Sequence, residues 1–581
     1  MRAFRLGAAR WTVNGILLAT LALTGCGPGQ PRVAGPEAAP STVPPTDAPP
    51  LVIFLGNQPN SLAMRPFAAK GRGIYVAWRM FNALPVLTDA RGQPQPELLS
   101  SLPSLNTDSW QVFPDGTMQT TYTLRPNLTW HDGQPLTSDD FVFSWRVYSS
   151  PELGLASQPP MPAMADVVAI DRDRFVIHWK SLYPEADSLS SKSREFPALP
   201  QHVLGPAFDQ IATGGRDAFT NHSVWGLQYV GLGPYRLQQW EAGDFIDAVR
   251  FDGYVLGAPK IPRIQLRFSS DQNVVLAHML AGEAHVAADS SISQAAADAL
   301  SLEWARSNGG TILSSPSNWR SIYFQLRPEL ANPRAILDPR VRKAVAHSVD
   351  REAIAVAIYG GHAITTDTPI WTGSAWGDVV DSSIPAYRLD PRATESLMNQ
   401  AGFSKASDGF YRGSEGRLSP ELATSESPDA VRELLAMANE LQAAGLDIQQ
   451  RVVPVALAQD AQLKATFPTM LVAGTDIGEA ALNYLASTQI PTAGNFWQGL
   501  NRGGWSSPDY DRLLTSFNNT LDRATRVSLA RQMMRVYGED VPVISLLFPA
   551  GLVAHVAKLQ GPANTAGESN LAWNVHQWEF K

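Results

Sequence analysis

His131 stands beside Asp132, a pairing of residue types that general acid–base chemistry uses. Its setting argues for a structural role, because an alternating run ends just before it and Asp132-Gly133 supplies a tight turn just after. No catalytic constellation surrounds the pair. The chain has no Gly-x-Ser-x-Gly elbow, no phosphate loop ending in Gly-Lys-Ser/Thr and no His-Glu-x-x-His. Gly231-Leu232-Gly233 runs into Pro234-Tyr235-Arg236 and lacks the third glycine of a dinucleotide fingerprint. The ten histidines include no pair at the spacing of a helical metal site, so neither a metal nor a cofactor is expected. Among 54 carboxylates adjacent pairs arise by chance, and alone they do not indicate a glycosidase.

Holding a molecule asks for other residues. Trp371, Trp376, Trp497 and Trp505 lie in Gly/Ser/Thr-rich stretches where no helix face explains a large ring. Loops on a rigid scaffold commonly carry binding groups, and tryptophan offers contact area with little rotamer entropy to lose. Asn495 and Tyr229 are candidates on the same reasoning, and the competing role for each is to plug a core.

The elements that would position them are readable. Leu51 to Leu55 is an apolar run of the kind that fills an internal strand. Thr120 to Arg125 alternates as a half-buried strand, and Leu128-Thr129-Trp130 is expected to resume it. Thr137-Ser138-Asp139-Asp140 then forms a helix start, with Phe141, Trp145 and Tyr148 on one face. Asp338-Pro339 begins another helix, expected to run unbroken to Gly360-Gly361. Further helical patterns span about 391–401, 430–444 and 523–537. The class is α/β, and 581 residues imply two or three domains.

The N-terminus carries an address. Arg2, Arg5 and Arg10 precede a short apolar run, Ile16 to Leu23, too short to span a bilayer, as in a signal peptide. Leu23-Thr24-Gly25-Cys26 resembles the bacterial lipobox, which implies lipidation of Cys26, the only cysteine of the chain. No thiol would then remain for a disulfide. Loss of residues 1–25 removes three arginines and moves the formal charge from −8 to −11, which disfavours nucleic acid as a partner. Residues 27–50 have a tether's composition.

Four stretches together resemble the peptide-, dipeptide- and nickel-binding family of bacterial extracellular solute-binding proteins, family 5. They are Thr123 to Asn127 continuing through Trp130 to Ser144, Val230 to Tyr235 with Trp240 and Tyr254, Asp338 to Ile354, and Asn501 to Asp511 with Trp573 to Trp578. Leu232 stands where the family usually has threonine. Most of these residues read as scaffold, with Arg340, Arg342 and Asp350 as surface or bridging charges.

The resemblance implies a two-lobed periplasmic-binding-protein-like fold, class II with an extra domain, whose lobes close on a ligand about a β-strand hinge. The expected layout is a signal peptide at 1–25 and the lipidated cysteine with its tether at 26–50. Residues 51–100, 226–318 and 546–581 would form the first lobe's core domain, 101–225 its extra domain, and 319–545 the second lobe. The implied function is capture of peptides for an ABC-type importer, with a permease and ATPases as partners, by a monomer anchored outside the cell membrane. The family's acid for a ligand's ammonium group falls near Met470 to Tyr484, where Asp476 is the candidate; the tryptophan expected beside it is absent. Another small polar solute is the nearest alternative. A cell-wall glycosidase would need two carboxylates about 5 to 10 Å apart across one cleft, and a signalling or chaperone-like receptor would keep the fold without a transporter.

Overall fold

A computed structural model describes residues 49–65, 75–156, 158–189, 195–457, 460–475, 477–495, 497, 499–566 and 570–581. Residues 1–48, which include the expected signal peptide, Cys26 and nearly all of the expected tether, lie outside the described residues, as does Asp476. Among the described residues no helix is long and apolar enough to cross a membrane.

The described body is built on two large sheets. The first has seven strands, in the order Gly310–Pro316, Ala550–Val556, Val286–Ala288, Leu51–Leu55, Arg263–Phe268, Phe245–Arg250, Tyr235–Glu241. Leu51–Leu55 lies inside it, parallel to both neighbours, and its almost wholly buried side chains account for its uninterrupted apolar sequence. The second sheet has six strands, in the order Ile364–Thr365, Val543–Phe548, Trp319–Phe324, Met470–Thr475, Glu421–Ser425, Gln449–Val453. An antiparallel four-stranded sheet, in the order Trp110–Val112, Met118–Thr123, Arg174–Trp179, Met164–Asp171, forms a separate layer packed on its own apolar cluster.

The chain passes from the first sheet to the second at Ser317–Asn318 and returns at Pro549. The crossings are neighbours: Gly310–Pro316 pairs with Ala550–Val556 on one side and Trp319–Phe324 with Val543–Phe548 on the other. Between them the Ser317 N–H and hydroxyl both donate to the Pro549 carbonyl, at 3.0 and 3.1 Å. This two-stranded ribbon is the hinge between two lobes. Pairing holds Val543–Phe548 wholly in the second sheet, so the return falls at Pro549, beyond the boundary expected between residues 545 and 546.

Two local expectations are corrected. The helix expected from Asp338 to Gly360 is two helices, Pro339–Ala346 and Arg351–Tyr359, because Asp350 caps a second helix by accepting from the Ala353 N–H at 3.0 Å. Leu128-Thr129-Trp130 is not a strand; Thr129 makes a single bridge to Pro135. The other patterns appear as helices Ser138–Tyr148, Pro391–Gln400, Pro428–Ala444 and Arg523–Asp540.

His131 locks the first lobe. Its Nδ1 accepts from the Gly231 N–H at 3.2 Å while its Nε2 lies 2.9 Å from the Gly233 carbonyl, an arrangement that a neutral ring protonated on Nε2 satisfies. A Cβ on Gly233 would sit 2.4 Å from the Asn82 nitrogen, so only glycine lets the return segment lie this close to the first helix, Tyr75–Phe81. Beside it a buried network joins Arg79 to Glu97 and to the Tyr254 hydroxyl, both at 2.7 Å, and Tyr254 donates to Glu97, also at 2.7 Å. His576 packs edge-on against Tyr254.

Burial pushes His131 down from 6.5 to about 4, against the pull of its Gly233 partner. Burial, assisted by the Arg79 charge, also lowers His576 to about 4. Unfolding lets both rings take up protons in this window. Their contribution to stability is therefore complete above pH ~6.5 and is lost as pH falls towards ~4, each ring adding a slope of up to about 1.4 kcal/mol per pH unit. Urea midpoints compared between about pH 7 and pH 5 should fall at the lower pH, and His131→Gln should flatten that dependence. Glu440, which burial raises to about 7, contributes with the opposite sign in this window, so the deciding comparison is between the parent and His131→Gln, and an identical pH dependence in the two would show that this ring is not held neutral.

Candidate functional site

The hinge end of the second lobe gathers groups that its own packing leaves incomplete. Trp319 and Thr475 are cross-strand partners on the face that packs against Trp371, Trp376 and Trp505. Trp319 is fully buried and Thr475 nearly so, yet Trp319 Nε1 and Thr475 Oγ1 have no hydrogen-bond partner among the described residues; neither does Asn318 Oδ1 at the crossing itself. Buried polar atoms are nearly always paired, and others without a partner among the described residues lie elsewhere, as at Trp240 and Tyr323, so this group is compatible with a bound water or ligand without singling out the hinge.

The sequence candidates divide by position. Trp371 is half-buried and Trp376 buried in the same apolar cluster. The Trp376 ring lies 4.1 Å from the Arg523 guanidinium and 5.0 Å from that of Arg526, contacts of cation–π type. Trp505 is a core plug: its Nε1 donates to Asp540 at 2.7 Å, its backbone N–H to Asn501 at 3.0 Å, and its ring stands edge-on to Tyr510. Asn495 and Trp497 share one loop. The Asn495 side chain accepts from the Thr492 N–H at 2.8 Å and donates to Ile490 at 2.9 Å, and Trp497 holds a left-handed backbone with φ 60°. Tyr229 belongs to the first lobe, where its hydroxyl donates to Asn82 and its ring lines a cavity of about 20 Å³, room for one water. The structure thus brings Trp371, Trp376 and Trp505 together and leaves Tyr229 apart.

The sequence reading missed a charged junction. Arg526 meets the carboxylates of both Glu479 and Glu185, all three buried, with Phe517 also under the guanidinium at 4.2 Å. Glu479 follows strand Met470–Thr475 in the second lobe, whereas Glu185 follows strand Arg174–Trp179 in the first. Helix Arg523–Asp540 opens with Arg523 and Arg526 and no acid in its first turn. Cations there oppose the helix dipole, and that misplacement was the available signal. Glu185 has no local signal, because its partner lies 341 residues away.

His131, the one acid–base candidate, has both nitrogens committed to backbone groups, and Asp132 pairs with His202 at 2.7 Å. What the arrangement offers is two lobes on a ribbon, aromatic walls and unpaired polar atoms beside the hinge, suited to enclosing a small molecule.

The sequence profile of the bacterial extracellular solute-binding proteins, family 5, middle region, matches residues 102–496. A Brucella ovis protein named for ABC-transporter peptide binding is 25% identical over 303 residues, 51% of each chain, so the match spans about half the length of that relative. Among solved structures, an oligopeptide-binding protein from Thermus thermophilus complexed with a pentapeptide superposes with a TM-score of 0.74 at 20% identity, covering 91% of this chain and 96% of that one. NikZ from Campylobacter jejuni in complex with Ni(L-His) superposes with a TM-score of 0.72 at 20% identity, covering 91% and 99%.

The burial of Trp505 generates an expectation of its own. Trp505→Phe removes the Asp540 bond and part of a packed ring, and should lower stability by about 1–3 kcal/mol. Urea denaturation measures it, and an unshifted midpoint would place the ring outside the core.

Proposed function

The chain belongs to the bacterial extracellular solute-binding proteins, family 5, and we propose that it is the lipid-anchored binding component of an ABC-type importer, capturing peptides by lobe closure and delivering them to a membrane permease. The observation that carries this reading is the paired crossing at Ser317 and Pro549, which joins two lobes with unpaired polar atoms at the junction. Crossing strands let lobes close with small backbone changes. Polar atoms beside aromatic walls suit a ligand read through its main chain, since such a site accepts varied side chains. The names and titles of the Brucella ovis and Thermus thermophilus proteins support a peptide.

On this reading Trp371, Trp376, Asp476, Asn495 and Trp497 would contact the ligand, while Trp505 plugs the second lobe's core and Tyr229 belongs to the first lobe's frame. The protein works by binding and not by catalysis. Lipidation of Cys26 after loss of residues 1–25 would hold it as a monomer at the outer face of the cell membrane, within reach of the permease and its ATPases. A second reading, another small polar solute, has support from the Ni(L-His) complex on the same fold.

Mass spectrometry of small molecules released by denaturing the purified protein should recover a mixture of peptides. One non-peptide solute would move the assignment to the second reading, and an empty protein that hydrolyses envelope polymers would end both. Intact-mass measurement should show residues 1–25 removed and a diacylglyceryl group on Cys26, and Cys26→Ser should retain the leader and lack the lipid. An unlipidated mature chain from the parent sequence would rule out the anchor.

A further inference from the structure

Arg526 is the point at which the two lobes are joined by charge. Its guanidinium contacts Glu479 of its own lobe and Glu185 of the other, and the three residues keep only 6%, 8% and 8% of their surface. Trp376 and Phe517 hold the cation from the second lobe. On the first-lobe side Ala186 and Leu189 bed the Glu185 segment into the cluster under the four-stranded sheet, and Leu521, just before the Arg526 helix, packs against that same cluster. Burial raises the carboxyl of Asp187, with the Glu185 charge adding to the effect.

We propose that the Glu185–Arg526 bridge is the latch that sets how much of the protein is closed before a solute arrives, and thereby how tightly any solute is held. In an opened form Arg526 keeps Glu479, so Glu185 is the group whose surroundings change on closing. It leaves water for a dry site, where the Arg526 guanidinium meets it. An apolar contact tolerates sliding, whereas this bridge rewards one closed geometry. Arg526 contacts both carboxylates, so its loss removes the charged contact that joins the lobes. The binding-competent population multiplies into apparent affinity, which makes these residues determinants of affinity without touching the solute. The inference rests on the two-lobed reading and not on the ligand's identity, so recovery of a non-peptide solute leaves it standing.

Small-angle X-ray scattering of the whole protein, stripped of solute by unfolding and refolding, tests it. Glu185→Ala should increase the radius of gyration of the solute-free protein while thermal unfolding of the second lobe is unchanged, because Glu185 lies outside that lobe's core. Glu479→Ala, which leaves the Glu185–Arg526 contact in place, should stay as compact as the parent. Arg526→Met should also open the protein; should it fail to fold, the Glu185 variant still decides. A Glu185→Ala scattering curve that superposes on that of the parent overturns the latch.

Discussion

Everything in this molecule is arranged about one pair of backbone crossings. Residues 232 apart, Ser317 and Pro549, meet where two antiparallel strands leave one sheet and enter another, and Pro549 accepts both of the bonds that Ser317 donates there. The ribbon continues as paired strands on either side, so it bends without exposing a row of unpaired backbone groups. Each lobe keeps its own apolar clusters, one set under the first sheet and its four-stranded companion and another on both faces of the second. Between the lobes, Leu521 packs on the first lobe's cluster and Arg526 meets Glu185.

Local chemistry was legible and distant chemistry was not. The starts of helices Ser138–Tyr148, Pro339–Ala346 and Pro391–Gln400 could be read because a cap and the helix it serves are neighbours in sequence. The break at His347–Val349 was hidden because Val341, Ala344, Val345 and Val349 keep one apolar face across both helices, and only the Asp350 cap betrays the interruption. Trp505 looked like a loop aromatic because nothing nearby announces Asp540 as its partner. The charged junction was the least visible, since Glu185 and Arg526 owe their meaning to tertiary packing alone.

The residues that announce the family most strongly work on the frame. His131 reads two backbone groups of the return segment, and Gly231 and Gly233 press against Phe81 and Asn82. Arg79, Glu97 and Tyr254 complete the same region. A motif of this kind specifies how the first lobe is tied together, and says little about which molecule lies between the lobes.

The His131 clamp lies entirely within one lobe and the crossings lie at its margin, so neither depends on the side chains that surround a captured molecule. Chemical taste is in this sense detachable from architecture. Two structural neighbours of this fold hold guests as unlike as a pentapeptide and a nickel–histidine complex.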